Sequence, residues 1–473
     1  MAIKVYKFGG ALLNKIEGFE QLKVIITNNI NSSHSDKNSN NSKTKSSKKS
    51  EKNTIIVVVS ALQKTTSKLS QAAKTAASDS EAKAMIFIDE IFDYHLDVVN
   101  KIICEDEHRK QIIAILEENK SLIAKIIRGI SITKELTPRT KDLVLSFGEI
   151  LASNIVAIFL SEAAENSKTF SDVALFNIRS VLITDSNYGA AVPNISATRA
   201  KIQELLLPGI KPNQVVVTQG FIASNKADEI TTMGYESSNL TATILAGLTG
   251  ADEFIIWSDT EGIRQADPKL FANKTPKLVE RISYDFAEFL AYCGLKLIHP
   301  PTIKYLKLFD LEVIYKSGFV PDGEFSVIAK EGNGEKYRFL LYNENLTLYH
   351  RTTMNKFEIN DFPQLAYFLH NPSSIVRISP GNHLHISSEA SANIEKDLFA
   401  CGFEKTDGIS SATFIYSAES EAIQLAAESC NSEDKVYEIF INNTKQTAVI
   451  LYKPATNNNL LKNALQFFER NFL

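Results

Sequence analysis

Short apolar runs alternate with stretches of helical period along most of this chain. Residues 3–8 read as a strand, 17–30 as a helix, and 54–60 as a buried strand rich in Val and Ile, with a helix following from about Thr65. Alternation of this kind builds a parallel sheet covered on both faces. From 80 to 164 the period becomes helical almost throughout, with interruptions near Gly129 and Pro138, which predicts a helical block inserted into the sheet domain. Strands resume at 180–184, 214–221 and 253–258, with a helix at 239–248 between the last two. The sheet domain is expected to end near Lys307. Beyond it, short strands alternate with helices near 362–369, 390–400, 420–429 and 458–472, a spacing that suggests two small modules of strands and helices, 308–398 and 399–473. The expected fold class is therefore α/β, a parallel-rich open sheet sandwiched by helices, followed by two small α+β modules.

Composition narrows the classes. At 473 residues the chain has room for about two to four domains. With 44% hydrophobic and 22% charged residues it has the usage of a globular protein, which excludes a fibrous or generally disordered chain. The net charge of −4 argues against a nucleic-acid binder. Residues 31–53 distort that average. Six Lys against one Asp and one Glu give them +4, so the rest of the chain carries −8. They hold no aliphatic residue and no Phe, Tyr or Trp, and a stretch that buries nothing cannot offset the entropy of ordering, so a disordered surface insert is expected. Apolar runs such as 55–60 fall short of the roughly 20 residues that cross a bilayer, and MAIKVYKFGG does not read as a secretory leader. No membrane contact and a cytoplasmic location follow as expectations. The cysteines at 104, 293, 401 and 430 show neither CxxC spacing nor a neighbouring His pattern, so no zinc site or disulfide framework is implied.

Strand one runs into Lys7-Phe8-Gly9-Gly10. Two glycines at a strand end let the backbone approach a phosphate, and a lysine beside them can neutralise a transferring phosphoryl group. A Gly-Gly of this sort is also an ordinary turn, and neither a Walker A pattern nor GxGxxG occurs in the chain. Its company raises its meaning. KFGG at 7–10, VVVSALQKTTSKL at 57–69, LSFGEILAS at 145–153, TTMGYESSNLTA at 231–242, WSDTEGIRQADPK at 257–269 and SYDFAEFLAYCGLKLIHPPTI at 283–303 together resemble the aspartokinase family over essentially residues 1–307.

That resemblance implies the amino-acid-kinase fold and an ATP-dependent transfer to the side-chain carboxylate of L-aspartate. The product would be 4-phospho-L-aspartate, at the head of the route to lysine, threonine and methionine. It also implies C-terminal ACT modules with an amino-acid effector, a homo-oligomer, and Mg2+ brought by the nucleotide with no dedicated protein metal site. Lys7 would meet the γ-phosphoryl charge, with Gly9 and Gly10 at the phosphates; a solvated strand-end lysine is the alternative. Ser60 and Thr66 match positions that hold the amino-acid substrate, although Ser60 could equally cap a helix. Glu149, among apolar neighbours, would bind the substrate ammonium or else sit in a buried ion pair. Ser258 and Asp259 resemble the family's nucleotide-contacting pair, and Arg264 and Lys277 stand on the ATP side. His299 reads as half of a structural Tyr/His pair.

Departures from the family fall on one loop. Its Arg-Gly-Gly-Ser-Asp reads Tyr235-Glu236-Ser237-Ser238-Asn239 here, so Tyr235 and Ser238 occupy substrate-binding positions and Asn239 the catalytic one. The family Arg clamps the substrate α-carboxylate, a charge-assisted contact that contributes roughly 1.5 to 3 kcal/mol. Ala11-Leu12 likewise replaces the Thr-Ser that usually follows KFGG. Two further readings stay open: a weakened homologue that senses metabolites, and a kinase for another amino-acid acceptor.

Overall fold

The computed structural model describes residues 2–333 apart from 32–52, 168–169, 235, 273, 294 and 296–299, and beyond them 337–350, 377–378, 383–386, 399, 404–415, 434–442, 447–455 and 458–473. The chain divides into two compact units, one of residues 1–261 and 308–324, the other of 262–307 and 325–473.

The first unit begins with β1 (Ile3–Phe8), α1 (Gly10–Leu13), α2 (Ile16–Ile30) and β2 (Thr54–Val59). Four helices follow: α3 (Thr65–Ser78), α4 (Glu81–Ile102), α5 (Asp106–Thr133) and α6 (Pro138–Ser167). Then come β3 (Asp172–Phe176), α7 (Ile195–Lys201), β4 (Gln214–Gln219), the hairpin of β5 (Ile222–Ser224) and β6 (Ile230–Thr232), α8 (Ser238–Thr249) and β7 (Glu253–Ser258). The second unit opens with β8 (Ile263–Arg264), β9 (Leu278–Val279), β10 (Arg281–Ser283) and α9 (Tyr284–Tyr292); α10 (Pro300–Phe309) precedes β11 (Val313–Ser317), which returns to the first unit. Within the first unit β11, β7, β1, β2, β4 and β3 lie in that order, every neighbouring pair parallel. All six residues of β2 are buried, as expected of a strand covered on both faces.

Several sequence expectations are corrected, whereas the interruption expected near Pro138 falls between α5 and α6. The strand expected at 180–184 is instead β3 at 172–176; Val181 and Leu182 are buried without belonging to a strand of the sheet. Gly129 does not interrupt a helix: α5 runs through it on an exposed face where an added Cβ would meet nothing within 4 Å. Pro138 starts α6, at the first helical position where its missing N–H is harmless, and Thr137 Oγ1 accepts from Thr140 N at 3.1 Å. By length and composition α6 could cross a bilayer, so the apolar stretches are longer than 55–60 suggested; most of it is buried inside this unit, as in a core helix.

The sheet does not end at 307 either, because β11 pairs with β7. Of the insert expected at 31–53, residues 32–52 lie outside the described residues. Its ends are ordered: Asn53 N donates to Ile30 O at 3.2 Å, and Asn53 O accepts from Asn213 N at 2.9 Å.

The second unit continues with β12 (Phe325–Ala329), which pairs in parallel with β10. Six antiparallel strands follow, β13 (Phe339–His350), β14 (Arg377–Ile378), β15 (His383–Ile386), β16 (Glu404–Ile415), β17 (Lys435–Asn442) and β18 (Thr447–Lys453), in the order β14-β15-β13-β16-β18-β17. Strands from both expected modules thus pair in one sheet, through β13 and β16. The terminal helix α11 (Asn459–Phe472) lays Phe467 and Phe468 against Phe414 and Leu340. The helices expected near 362–369, 390–400 and 420–429 fall outside the described residues, apart from Phe399.

Candidate active site

Lys7 stands near the C-terminal end of β1, between Val58 of β2 and Ile256 of β7. Side chains alternate along a strand. Tyr6 and Phe8 meet the Trp257 ring on one face, at 6.0 and 6.3 Å between centroids, so Lys7 faces the other way. Burial of its ammonium pulls Lys7 down to about 8, and the charges of Glu236, Glu149 and Asp259 act against that pull. A lysine among three carboxylates is no longer a solvated strand end.

The glycines after it serve close approach. Gly9 N donates back to Trp257 O at 3.0 Å, so its N–H is not open to a phosphate as the sequence suggested. A Cβ on Gly10 would run into Ala61 O. The loop after β1 therefore lies directly against the turn after β2.

That turn meets α6 in the same way. Gly148 packs so near Ala61 that an added Cβ would stand 2.9 Å from the Ala61 Cβ. The next residue, Glu149, is buried and accepts from Ala61 N at 3.1 Å through one oxygen. Its second carboxylate oxygen has no hydrogen-bond partner among the described residues. Burial pushes Glu149 up to about 8, against the Ala61 N–H and the Lys7 charge. A buried acid with one satisfied oxygen and one open oxygen is arranged to receive a cation.

The departing loop leads into α8. Tyr235 lies outside the described residues. Glu236 is exposed and adopts φ 63°, a left-handed conformation that residues with a Cβ seldom take. Ser237, Ser238 and Asn239 are buried at the start of α8, and Gly220 leaves room for Ser238, whose Cβ would otherwise be 2.6 Å away. Ser237 Oγ and Asn239 Oδ1, like the second oxygen of Glu149, lack partners among the described residues.

Ser60 is half-buried after β2 and its N donates to Phe8 O at 3.4 Å; the N-cap of α3 is Lys64, with no side-chain bond, so Ser60 does not cap that helix. Thr66 is half-buried in the first turn of α3. Ser258 Oγ donates to Asp259 Oδ1 at 3.2 Å at the end of β7. Arg264 and Lys277 belong to the second unit, where Arg264 Nη1 donates to Pro276 O at 3.0 Å and Lys277 O accepts from Gln265 N at 3.0 Å. Lys7, Glu149, Asn239, Ser258 and Asp259 thus lie in one unit, and the two ATP-side residues in the other. His299 lies outside the described residues. Among the described residues no group of three or more His, Cys, Asp or Glu is placed to hold a metal ion.

Sequence reasoning missed Asp142. It lies seven residues before Glu149 on α6 and is buried, accepting from Gly189 N at 2.9 Å, Thr232 N at 2.8 Å and Thr232 Oγ1 at 2.8 Å. It ties the helix that carries Glu149 to β6, which leads into the 234–239 loop. The signal was there in the period, since a seven-residue spacing returns to the same helix face.

The sequence model of the amino acid kinase family matches residues 2–314. Aspartokinase 3, chloroplastic, of Arabidopsis thaliana is 26% identical over 285 residues, 59% of this chain and 48% of that protein. Lysine-sensitive aspartokinase 3 of Escherichia coli is 28% identical over 246 residues, 51% of this chain and 53% of that protein. The chain spans about half the length of these curated relatives. The fold is similar to the solved structure of E. coli aspartokinase III in complex with aspartate and ADP, with a TM-score of 0.75 at 20% identity, covering 99% of this chain and 100% of that one. It is also similar to the same enzyme in complex with lysine and aspartate, with a TM-score of 0.68 at 19% identity and full coverage of both chains.

Proposed function

The chain belongs to the amino acid kinase family, and on that premise we propose that it transfers the γ-phosphoryl group of ATP to the side-chain carboxylate of L-aspartate. A carboxylate oxygen attacks the γ-phosphorus, the bond to the bridging oxygen breaks, and ADP leaves with the electron pair, giving 4-phospho-L-aspartate. The nucleophile is already ionised, so no general base is needed, and catalysis rests on positioning and charge. The observation that carries this reading is the open buried oxygen of Glu149 within the field of Lys7. An α-ammonium at Glu149 would fix the amino acid, and Lys7 would stabilise the charge on the phosphoryl oxygens. Mg2+ would arrive on the ATP, for which Asp259, exposed beside Lys7, offers an acidic neighbour.

The sequence resemblance adds to the proposal the first step of the route from aspartate to lysine, threonine and methionine, a cytoplasmic location and a homo-oligomer. The E. coli enzyme was solved in complex with lysine and aspartate, which supports adding an amino-acid effector to the proposal. A second reading, a weakened metabolite-sensing homologue, is favoured by Glu236, whose negative charge acts on Lys7 where an anionic substrate would have to approach. Coupled measurement of ADP release with L-aspartate, with a panel of other amino acids and with ATP alone distinguishes them. Release that depends on aspartate supports the first reading. Release with another amino acid reassigns the acceptor. ATP binding with no release, restored by Asn239→Asp, supports the second.

A further inference from the structure

Ile256 of β7 has Lys7 of β1 on one side and Tyr315 of β11 on the other, all at one register. Residues level with one another in adjacent strands face the same side of a sheet, so Lys7 and Tyr315 share a face, with backbones roughly 10 Å apart across two strand spacings. The opposite face is taken by Trp257, against which Tyr6, Phe8 and Lys316 pack. The strand between the two residues ends in Ser258 and Asp259, at the carboxyl edge where open parallel sheets bind ligands.

Tyr315 is 3% exposed, yet its hydroxyl has no hydrogen-bond partner among the described residues. A buried donor without a partner is destabilising, and at the sheet edge where ligands bind such a donor can be satisfied by a group that arrives. Burial, with the Glu236 charge, holds the phenol well above its ordinary value, so it stays protonated and donates. The same Glu236 acts on Lys7, which puts both polar groups beside the start of α8. We propose that Tyr315 is a nucleotide-binding residue, its hydroxyl donating to a phosphate oxygen of ATP that lies over the end of β7 between Tyr315 and Lys7. This rests on the phosphoryl-transfer reading and adds to it a donor from a strand that follows the motif-bearing segments.

Tyr315→Phe removes the hydroxyl and keeps the ring. Calorimetric titration with Mg-ATP should show a dissociation constant raised roughly 10-fold, since a hydrogen bond to a charged group is being lost. Adenosine, which has no phosphate, should bind both proteins alike. The unliganded variant should melt at the same temperature or higher, because an unpaired buried hydroxyl is gone. A structural hydroxyl would give the opposite sign, a lower melting temperature with Mg-ATP affinity unchanged, and that result overturns the proposal. Equal weakening of ATP and adenosine also overturns it, by making the effect one of ring packing. If the parent binds Mg-ATP and turns over while the variant matches it, the inference fails and the phosphoryl-transfer reading stands. If the parent does not bind Mg-ATP, that reading fails, and the inference with it.

Discussion

Replacing Glu149 by Gln keeps the side chain's size and its bond to Ala61 N while removing an acid that burial holds at about 8 instead of 4.5. In the unfolded chain the carboxyl loses its proton near 4.5, while the folded chain keeps it until about 8. Between those values the unfolded state therefore binds fewer protons, and stability falls as pH rises. At 1.36 kcal/mol per pK unit, the parent should lose about 3 kcal/mol relative to Glu149→Gln between pH 5 and pH 8. Urea titrations of both proteins at several pH values measure that difference directly. The same substitution removes the group that meets the substrate ammonium, so aspartate turnover should fall at least 100-fold while the protein becomes relatively more stable at pH 8. A stability difference that stays flat from pH 5 to 8 would refute the claim that this acid is buried and protonated. Turnover unchanged in the variant would refute its role.

Lys7 and Glu149 both titrate near 8, and activity needs the lysine charged and the acid ionised, so kcat/KM should follow a bell centred near pH 8 with limbs belonging to the pair; a profile flat from pH 6 to 10 contradicts this. Gly10→Ala drives a methyl into Ala61 O and should destabilise by about 2 kcal/mol in denaturant titration, with loss of activity. Asp142→Asn places an amide where three donors converge, and should lower stability by about 2 kcal/mol and raise the KM for aspartate more than that for ATP. Replacing residues 32–52 with a short Gly-Ser turn should leave melting temperature and turnover nearly unchanged, since they supply no apolar side chain and Ile30 and Asn53 already meet.

Whether a feature was legible in the sequence depended on how far it was local. The Val and Ile run of β2 and the apolar α8 announce themselves because both are buried on all sides. β3 does not, because most of its residues are partly exposed at the sheet edge, while the more apolar residues 181–182 are buried without being a strand. In α6 polar residues break the apolar run, yet Ser146 and Ser153 donate to carbonyls three residues back and so sit within the core. The motifs located Lys7, Glu149 and Asn239. They did not point to Asp142, whose partners lie 47 and 90 residues away, or to Tyr315, which meets the site through strand register.

The central claim is that the open oxygen of Glu149 and the charge of Lys7 serve transfer to a carboxylate. Hydroxylamine converts an acyl phosphate to a hydroxamate, so incubation of the protein with Mg-ATP, L-aspartate and hydroxylamine tests it directly. The account predicts aspartyl hydroxamate in step with ADP, abolished by omitting aspartate and reduced at least 100-fold in Lys7→Ala, which should fold as well as the parent. ADP formed without hydroxamate, or hydroxamate formed equally well by Lys7→Ala, would contradict it.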